Sequence, residues 1–416
     1  MMSEPTDPRY NGVYPSQWIR EAITNGIVTA SASITAAQVQ PNSLDLRLGD
    51  VGYRVQCSFL PGEEGIERKL ERFKWYESPV TDNGLVLERN QAYIFPLLER
   101  LDLPVTISAR ANPKSTTGRL DVFTRLVTEF GQSFDEVRAG YRGRLYLEVV
   151  PRSFAIRVRP GDSLAQIRFQ CGEPALTQQE TIALLTNEAI LFSHDLEHLK
   201  GEDVVRRSAQ GVVLSISLSR KHESAKRSES TVGYQARKNT SPIDLRGIGK
   251  ASIRNYWDRI YDDSKPVILE PDEFYIFASK ELIRLPADYC AEMVPFDAGS
   301  GEVRTHYAGF FDSGFGYSDA RLAAQTAAAV VLEVRSRDVP FLIEDGQSLF
   351  RVNLLRCTEA PDLLYGAELG SNYQSQRLRL SKQFNAPHER ETELPVEPEH
   401  EDPGESLQRQ LDFAEV

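Results

Sequence analysis

The chain has 416 residues, of which 41% are hydrophobic and 26% charged, and its formal net charge is −12. That length allows two domains of ordinary size, and that apolar fraction supplies a real core. The acid excess argues against a nucleic-acid binder, which draws on clustered Lys and Arg, but one local basic pocket is enough to take a small anion.

The opening MMSEPTDPRYNGVYPSQWIR lacks the apolar core of a secretory signal, and no run reaches the ~18 apolar residues of a membrane helix. A cytoplasmic protein without membrane contact is expected. The segment YPSQWIREAITNGIV (14–28) predicts a short amphipathic helix, with Ser16 as N-cap and Gly26 as stop. Further on, SFDEVRAGY reads as a turn of helix. RLYLEVV predicts a strand that turns Leu145, Leu147 and Val149 to one face and Tyr146, Glu148 and Val150 to the other. FAIRVR and VPFLIE are further short strand patterns, and RPGD and EDGQ mark turns beside them. His194 and His198 in SHDLEHLK have the i, i+4 spacing of a helical metal pair but no third ligand, so a solvated helix face is expected. SDARLAAQTAAAVVLEV has alanines that favour helix and an end that reads as strand. The four cysteines, Cys57, Cys171, Cys290 and Cys357, form no CxxC pair and predict reduced thiols.

The strongest organisational signal is a duplication. LERNQAYIFPLLERLDLP (87–104) matches LEPDEFYIFASKELIRLP (269–286) without a gap, and LYLEVVPRSFAIRVRPGDSL (145–164) matches VVLEVRSRDVPFLIEDGQSL (330–349). SLDLRLG (43–49) echoes PIDLRGIG (242–249). A period near 180–200 residues means domain duplication rather than a solenoid. The Ser-rich, charged stretch 219–235 reads as the linker. We therefore expect a first domain over 1–220, a second over 221–382 and an acidic, disordered tail over 383–416. Many short strands with Gly/Pro turns predict a mainly β protein, a barrel or jelly roll in each copy with a few short helices.

The stretch ANPKSTTGRL (111–120) gathers a lysine, three hydroxyls, a glycine and an arginine, a composition suited to phosphate. It is not a P-loop, and the chain shows no GxSxG elbow, no Rossmann fingerprint and no H-x-E with P-C-x-x-C of the zinc-dependent deaminases. Ser115 and Arg119 lie four apart, and Glu148 sits on a later strand. Alone, Glu148 is more simply a solvated glutamate. The second copy, however, keeps Glu333 in the same Leu-Glu-Val frame and again spaces Ser300 and Arg304 by four.

Together QPNSLDLRLG, ANPKSTTGRL, AGYRGRLYLEV and RPGDSLAQIRF resemble the dCTP deaminase branch of the dUTPase superfamily, in a duplicated, long-chain bacterial form. The resemblance covers most of 14–220 and, more weakly, 232–380. It implies two tandem dUTPase-like domains and hydrolysis of dCTP to dUTP and ammonia. In that reading Glu148 is the general base, Ser115 and Arg119 act beside it, and Lys114 and Thr116 join Ser115 in gripping the triphosphate. The second-copy equivalents are Glu333, Ser300 and Arg304. FDSGFG places Asp312 as the aspartate that reads the sugar, where the first copy has Arg138. YGAELGSNYQSQRL places Tyr365, Tyr373 and Gln376 in the closing flap, with Asn372 in place of the family's lysine; the first copy offers only Gln210. With the better phosphate patch, copy one is the expected working copy. The resemblance further implies Mg²⁺ carried with the triphosphate, no zinc, no metal ligands from protein side chains, and a trimer of two-domain chains. The alternatives are a dUTP diphosphatase or bifunctional enzyme, in which an aspartate such as Asp312 activates water against the α-phosphate, and a non-catalytic nucleotide-binding regulator.

Overall fold

The computed structural model describes residues 11–200, 211–219, 230–262, 265–294, 303–305, 309–317, 326–336, 338–366, 373 and 377–385. In the first copy one sheet runs in the order Lys74–Pro79, Val51–Val55, Ala92–Asp102, Arg142–Pro151, Val122–Thr128, with Val28–Ala30 also on Ala92–Asp102. The facing sheet carries Gly12–Val13, Ser163–Cys171, Ser108–Pro113 and Glu136–Val137, with Leu44–Arg47 on Ser163–Cys171. The strands within each sheet are antiparallel. Leu145, Leu147 and Val149 enter the core between the sheets beside Leu44, Phe95 and Ile167, as the alternation of RLYLEVV requires.

The second copy repeats this plan. Trp257–Tyr261, Thr231–Ala236, Phe274–Ile283, Ala328–Ser336 and Val303–Thr305 form one sheet; Val212–Ser215, Ser348–Arg356, Tyr289–Val294 and Phe310–Phe311 form the other. The matched sequences fall on matching ladder positions. Glu148 lies opposite Ile94 and Glu333 opposite Ile276.

Several sequence expectations are corrected. The helix 14–28 is Ser16–Thr24, and Pro15 rather than Ser16 is its N-cap; the Ser16 hydroxyl instead bonds Asp362 at 2.5 Å. Glu136–Val137 is a short strand on Ser108–Pro113, not a turn of helix. His194 lies in a turn and His198 bridges Phe192, so no helix face carries the pair. The counterpart of SLDLRLG is not PIDLRGIG. The place that Leu44–Arg47 holds on its neighbour is held in the second copy by Val212–Ser215. Glu99 accepts from the Arg47 backbone N–H at 2.8 Å, and Glu281 likewise from Ser215 at 2.8 Å. Only the apolar alternation survives there, so an identity search is drawn to the Asp-Leu-Arg of PIDLRGIG, whose Ile243–Asp244 pairs in parallel with the first copy's Ile156–Val158.

It follows that the helix Gln178–Asn187 and the strands Leu191–Phe192 and Val212–Ser215, placed by sequence in the first domain, pack with the second: Leu185, Leu191, Leu214 and Ile216 share a core with Phe277 and Leu332. Residues 383–385, placed by sequence in the tail, pack on the second domain. Phe384 is buried, its ring 5.5 Å from Tyr256 and 5.7 Å from Trp257. Residues 386–416 lie outside the described residues. Among the described residues no helix is long and apolar enough to cross a membrane.

The copies treat one face differently. The outward face of the second copy's first sheet (Tyr234, Trp257, Ile276, Val331) merges with the first copy's core. The equivalent face of the first copy (Val55, Ile94, Val127, Tyr146) is covered by its own helix Ile66–Phe73 through Ile66 and Leu70.

Candidate active site

Lys114 and the one-turn helix Ser115–Gly118 follow the Ser108–Pro113 strand at the seam between the copies. Lys114, Ser115 and Arg119 line one cavity with Asp312, Glu333, Tyr365 and Tyr373 of the second copy. Phe310, Phe311 and Phe315 supply its apolar wall. The sequence-derived residues of the two copies thus build one composite site.

Arg119 is buried, its guanidinium 3.8 Å from the Tyr373 ring centroid in a cation–π contact, and its Nη1 donates to the Arg379 carbonyl at 2.9 Å. Burial lowers its pKa, while Tyr373, Glu333 and Tyr365 act to raise it. Glu333 lies against the backbone of Gly118: a methyl group there would stand 2.5 Å from Oε2. Burial pushes the Glu333 carboxyl up to about 8, Asp121 adds to the rise, and Arg119 opposes it. A carboxyl poised near neutrality beside a guanidinium suits proton transfer.

Glu148 is not brought to this cavity. It is buried on the face closed by Ile66–Phe73, with Arg125 Nε 3.8 Å from Oε1, and burial raises its pKa. The expected pairing of Arg119 with Glu148 is therefore corrected to Arg119 with Glu333, because the patch projects across the seam rather than back onto its own strand. Both copies line this cavity: Pro113, Lys114, Ser115 and Arg119 come from the first and the rest of the lining from the second.

The remaining expected residues divide. Lys114 reaches the cavity rim, where its ammonium is ion-paired with Asp45 of SLDLRLG. Thr116 Oγ1 and the Tyr373 hydroxyl share a hydrogen bond of 3.0 Å, and Ser381 Oγ donates to the Thr116 carbonyl at 3.0 Å, so the flap region is tied to the patch. Burial raises the Tyr365 pKa. Ser300, Gln376, Asn372 and Gln210 lie outside the described residues, as does the side chain of Arg304, whose backbone is in Val303–Thr305.

Sequence reasoning assigned no role to Arg168 or Asn42, although both stand in the quoted motifs. Arg168 is buried, donates from Nη2 to Asp312 Oδ1 at 2.9 Å and to the Ala291 carbonyl from Nη1 at 3.1 Å, and lies 4.0 Å from the Phe310 ring centroid. Burial raises the Asp312 pKa and Arg168 opposes the rise. Asn42 Oδ1 accepts from the Ser313 backbone N–H at 2.8 Å, fixing the turn that follows Asp312. The available signal was a buried arginine at an apolar strand position, which calls for a carboxylate partner.

Residues 10–173 match the model of the 2′-deoxycytidine 5′-triphosphate deaminase N-terminal domain, and residues 177–384 that of its C-terminal domain. The chain is 27% identical over 157 residues to a "dCTP deaminase, dUMP-forming" of Sulfurihydrogenibium sp., covering 36% of this chain and 79% of that protein. It is 27% identical over 135 residues to a "dCTP deaminase" of Ignicoccus hospitalis, covering 32% and 68%. The solved structure of a 2′-deoxycytidine 5′-triphosphate deaminase from Agrobacterium tumefaciens superposes with a TM-score of 0.77 at 40% identity, over 87% of this chain and 100% of that one. With both copies matched, and the helix 178–187 falling on the C-terminal side as in the fold, the chain belongs to the 2′-deoxycytidine 5′-triphosphate deaminase family.

Proposed function

We propose that the chain hydrolyses dCTP to dUTP and ammonia at one composite site, with Glu333 as general base and Ser115 and Arg119 supplied across the seam. The single observation that carries this reading is the buried Glu333 carboxyl against Gly118 and beside Arg119. Glu333 takes a proton from the attacking water and delivers it to N3 of the ring as oxygen adds to C4. Ser115 and Arg119 hold the water and the developing charge. Glu333 then carries the proton of the new C4 hydroxyl to the amino nitrogen, and collapse of the tetrahedral centre releases ammonia, so that dCTP and water give dUTP and NH₃. Lys114, released from Asp45, grips the triphosphate with the Ser115 and Thr116 hydroxyls. Asp312, Tyr365, Tyr373 and Gln376 enclose the sugar and base. Mg²⁺ comes with the triphosphate as part of the substrate, and the scheme uses no zinc.

Some relatives are named dUMP-forming, a product that also requires loss of pyrophosphate. In this chain Asp312, the aspartate that such a step would use, is buried and engaged by Arg168. We infer that dUTP is the released product. Incubation with dCTP and Mg²⁺, with ammonia and pyrophosphate measured together, tests both halves: ammonia with dUTP is expected. Pyrophosphate in equal amount would establish a bifunctional enzyme, and nucleotide binding without ammonia a regulator. We further propose that the enzyme works in the cytoplasm as a trimer of two-domain chains.

A further inference from the structure

Two residues beyond Arg119 stands Asp121, and two beyond Glu333 stands Arg335. They meet across the same seam with the charges exchanged. Arg335 Nη2 is ion-paired with Asp121 Oδ2 and lies 3.2 Å from Ser153 Oγ, which itself donates to Asp121 Oδ2 at 2.5 Å. Arg335 Nη1 donates to the Asp272 carbonyl. Asp121 is 0% exposed and Arg335 4%, so the pair is fully desolvated. Burying two charges returns little net stability, and the better-attested use of such pairs is to fix register. Asp121 is also held at φ 53°, in the left-handed region that a non-glycine residue enters at some cost.

The pair is present on one side of the duplication only. Where Arg335 follows Glu333-Val334, the first copy has Val150 after Glu148-Val149; where Asp121 follows Arg119-Leu120, the second copy has His306 after Arg304-Thr305. Side chains two apart on a strand share a face, so Arg335 anchors the face that presents Glu333. The Glu333 carboxyl against Gly118, with the Arg119 charge in the same cavity, and the Asp121–Arg335 pair form a two-pronged key that fits this pairing of copies.

We propose that Asp121 and Arg335 are positioning residues, which lock the Ser115–Arg119 segment in register with the Glu333 strand and so set the place and charge of the acid–base group. This rests on the reading of Glu333 as the base. The charged and titratable groups around Glu333 are Arg119 and Asp121 from the first copy, with Lys114 further along the cavity; Asp312, Tyr365 and Tyr373 from the second copy's loops; and Arg335 on its own strand, which lies opposite Arg304.

The test is the pH profile of kcat/KM for Asp121→Asn and Arg335→Gln, with Arg335→Lys as the conservative variant. Asp121→Asn removes a negative charge and leaves Arg335, so the acid limb should move to lower pH. Arg335→Gln removes the positive charge that faces Asp121, so the limb should move to higher pH. The kcat of each should fall about tenfold or more, since an ångström of misplacement costs up to ~10²-fold. Arg335→Lys should restore the parental limb. Limbs that stay put, or that move in the same direction in both variants, overturn the proposal, because loss of packing alone has no such sign. Should a single variant fail to fold, the neutral double variant Asp121→Asn/Arg335→Gln decides. It is expected to fold with a near-parental limb and lowered kcat. Parental kcat, or failure of the neutral pair to fold, overturns the proposal. Glu333→Gln is run beside these: if it deaminates normally, the assignment of the base fails, independently of the pair.

Discussion

At Gly118 the space for a side chain is taken by the Glu333 carboxylate, at 2.5 Å from the position of a Cβ. Gly118→Ala should therefore displace the proposed base while leaving the one-turn helix intact, since alanine favours helix. We expect kcat to fall ~10- to 100-fold with an unchanged melting temperature, measured by ammonia release and thermal denaturation. Glu333→Gln should lose ~10²–10⁴-fold, the usual contribution of a positioned acid–base group, whereas Glu148→Gln should retain deamination. Loss of activity in the Glu148 variant alone would return the base to the first copy. Because burial holds the Glu333 carboxyl near 8, the folded state keeps its proton at a pH where the unfolded chain has released it. Stability contributed by this group is present below about pH 4.5 and is lost as pH rises toward about 8. Glu333→Gln should accordingly gain stability over the parent from pH 5 to 9, read as a widening difference in melting temperature. The acid limb of kcat/KM should lie near pH 8 in the parent.

Among elements, the segment after Lys382 shows how a few residues depart from the character of their surroundings. The tail is acidic and rich in Pro and Glu, but Phe384 sits in an edge-to-face cluster with Phe154, Tyr256 and Trp257, joining residues of both copies. Its backbone continues that role, as the Asn385 N–H donates to the Ala251 carbonyl at 3.0 Å. Phe384→Ala should cost about 3–5 kcal/mol in chemical denaturation, the usual range for a large aromatic taken from a core. A neutral result for Phe384→Ala would mean that the aromatic cluster closes without it. The helix Ile66–Phe73 is the other decisive element. Through Ile66 and Leu70 it covers in the first copy the face that, in the second copy, receives its neighbour. That cover leaves Glu148 buried with Arg125 and away from any Ser–Arg patch among the described residues.

At the scale of the whole molecule, the two copies contribute different side chains to one cavity among the described residues. The first copy supplies Lys114, Ser115 and Arg119; the second supplies Glu333, Asp312 and the flap tyrosines. Titration calorimetry with a non-hydrolysable dCTP analogue should accordingly give one nucleotide per chain, and two would show that the Glu148 face also opens.

The sequence by itself determined the mainly β class, the duplication, and the polar and charged side chains that line the cavity. Those features are written in local periods: the alternation of RLYLEVV, the matched Tyr-Ile-Phe frames, the Ser-to-Arg spacing. The tertiary structure alone decided which glutamate shares a cavity with Arg119, which copy the segment from Gln178 packs with, and that Phe384 belongs to the core. Each of these depends on contacts between residues far apart in the chain. Arg119 and Glu333 are joined by packing of two barrels, a relation for which no spacing within either copy carries a sign. The start at Gln178 was hidden because Val212–Ser215 keeps the leucine of Asp-Leu-Arg but neither its Asp nor its Arg. Phe384 was hidden because one apolar residue in an acidic stretch has no period, and only the partners it meets in space give it a place in the core.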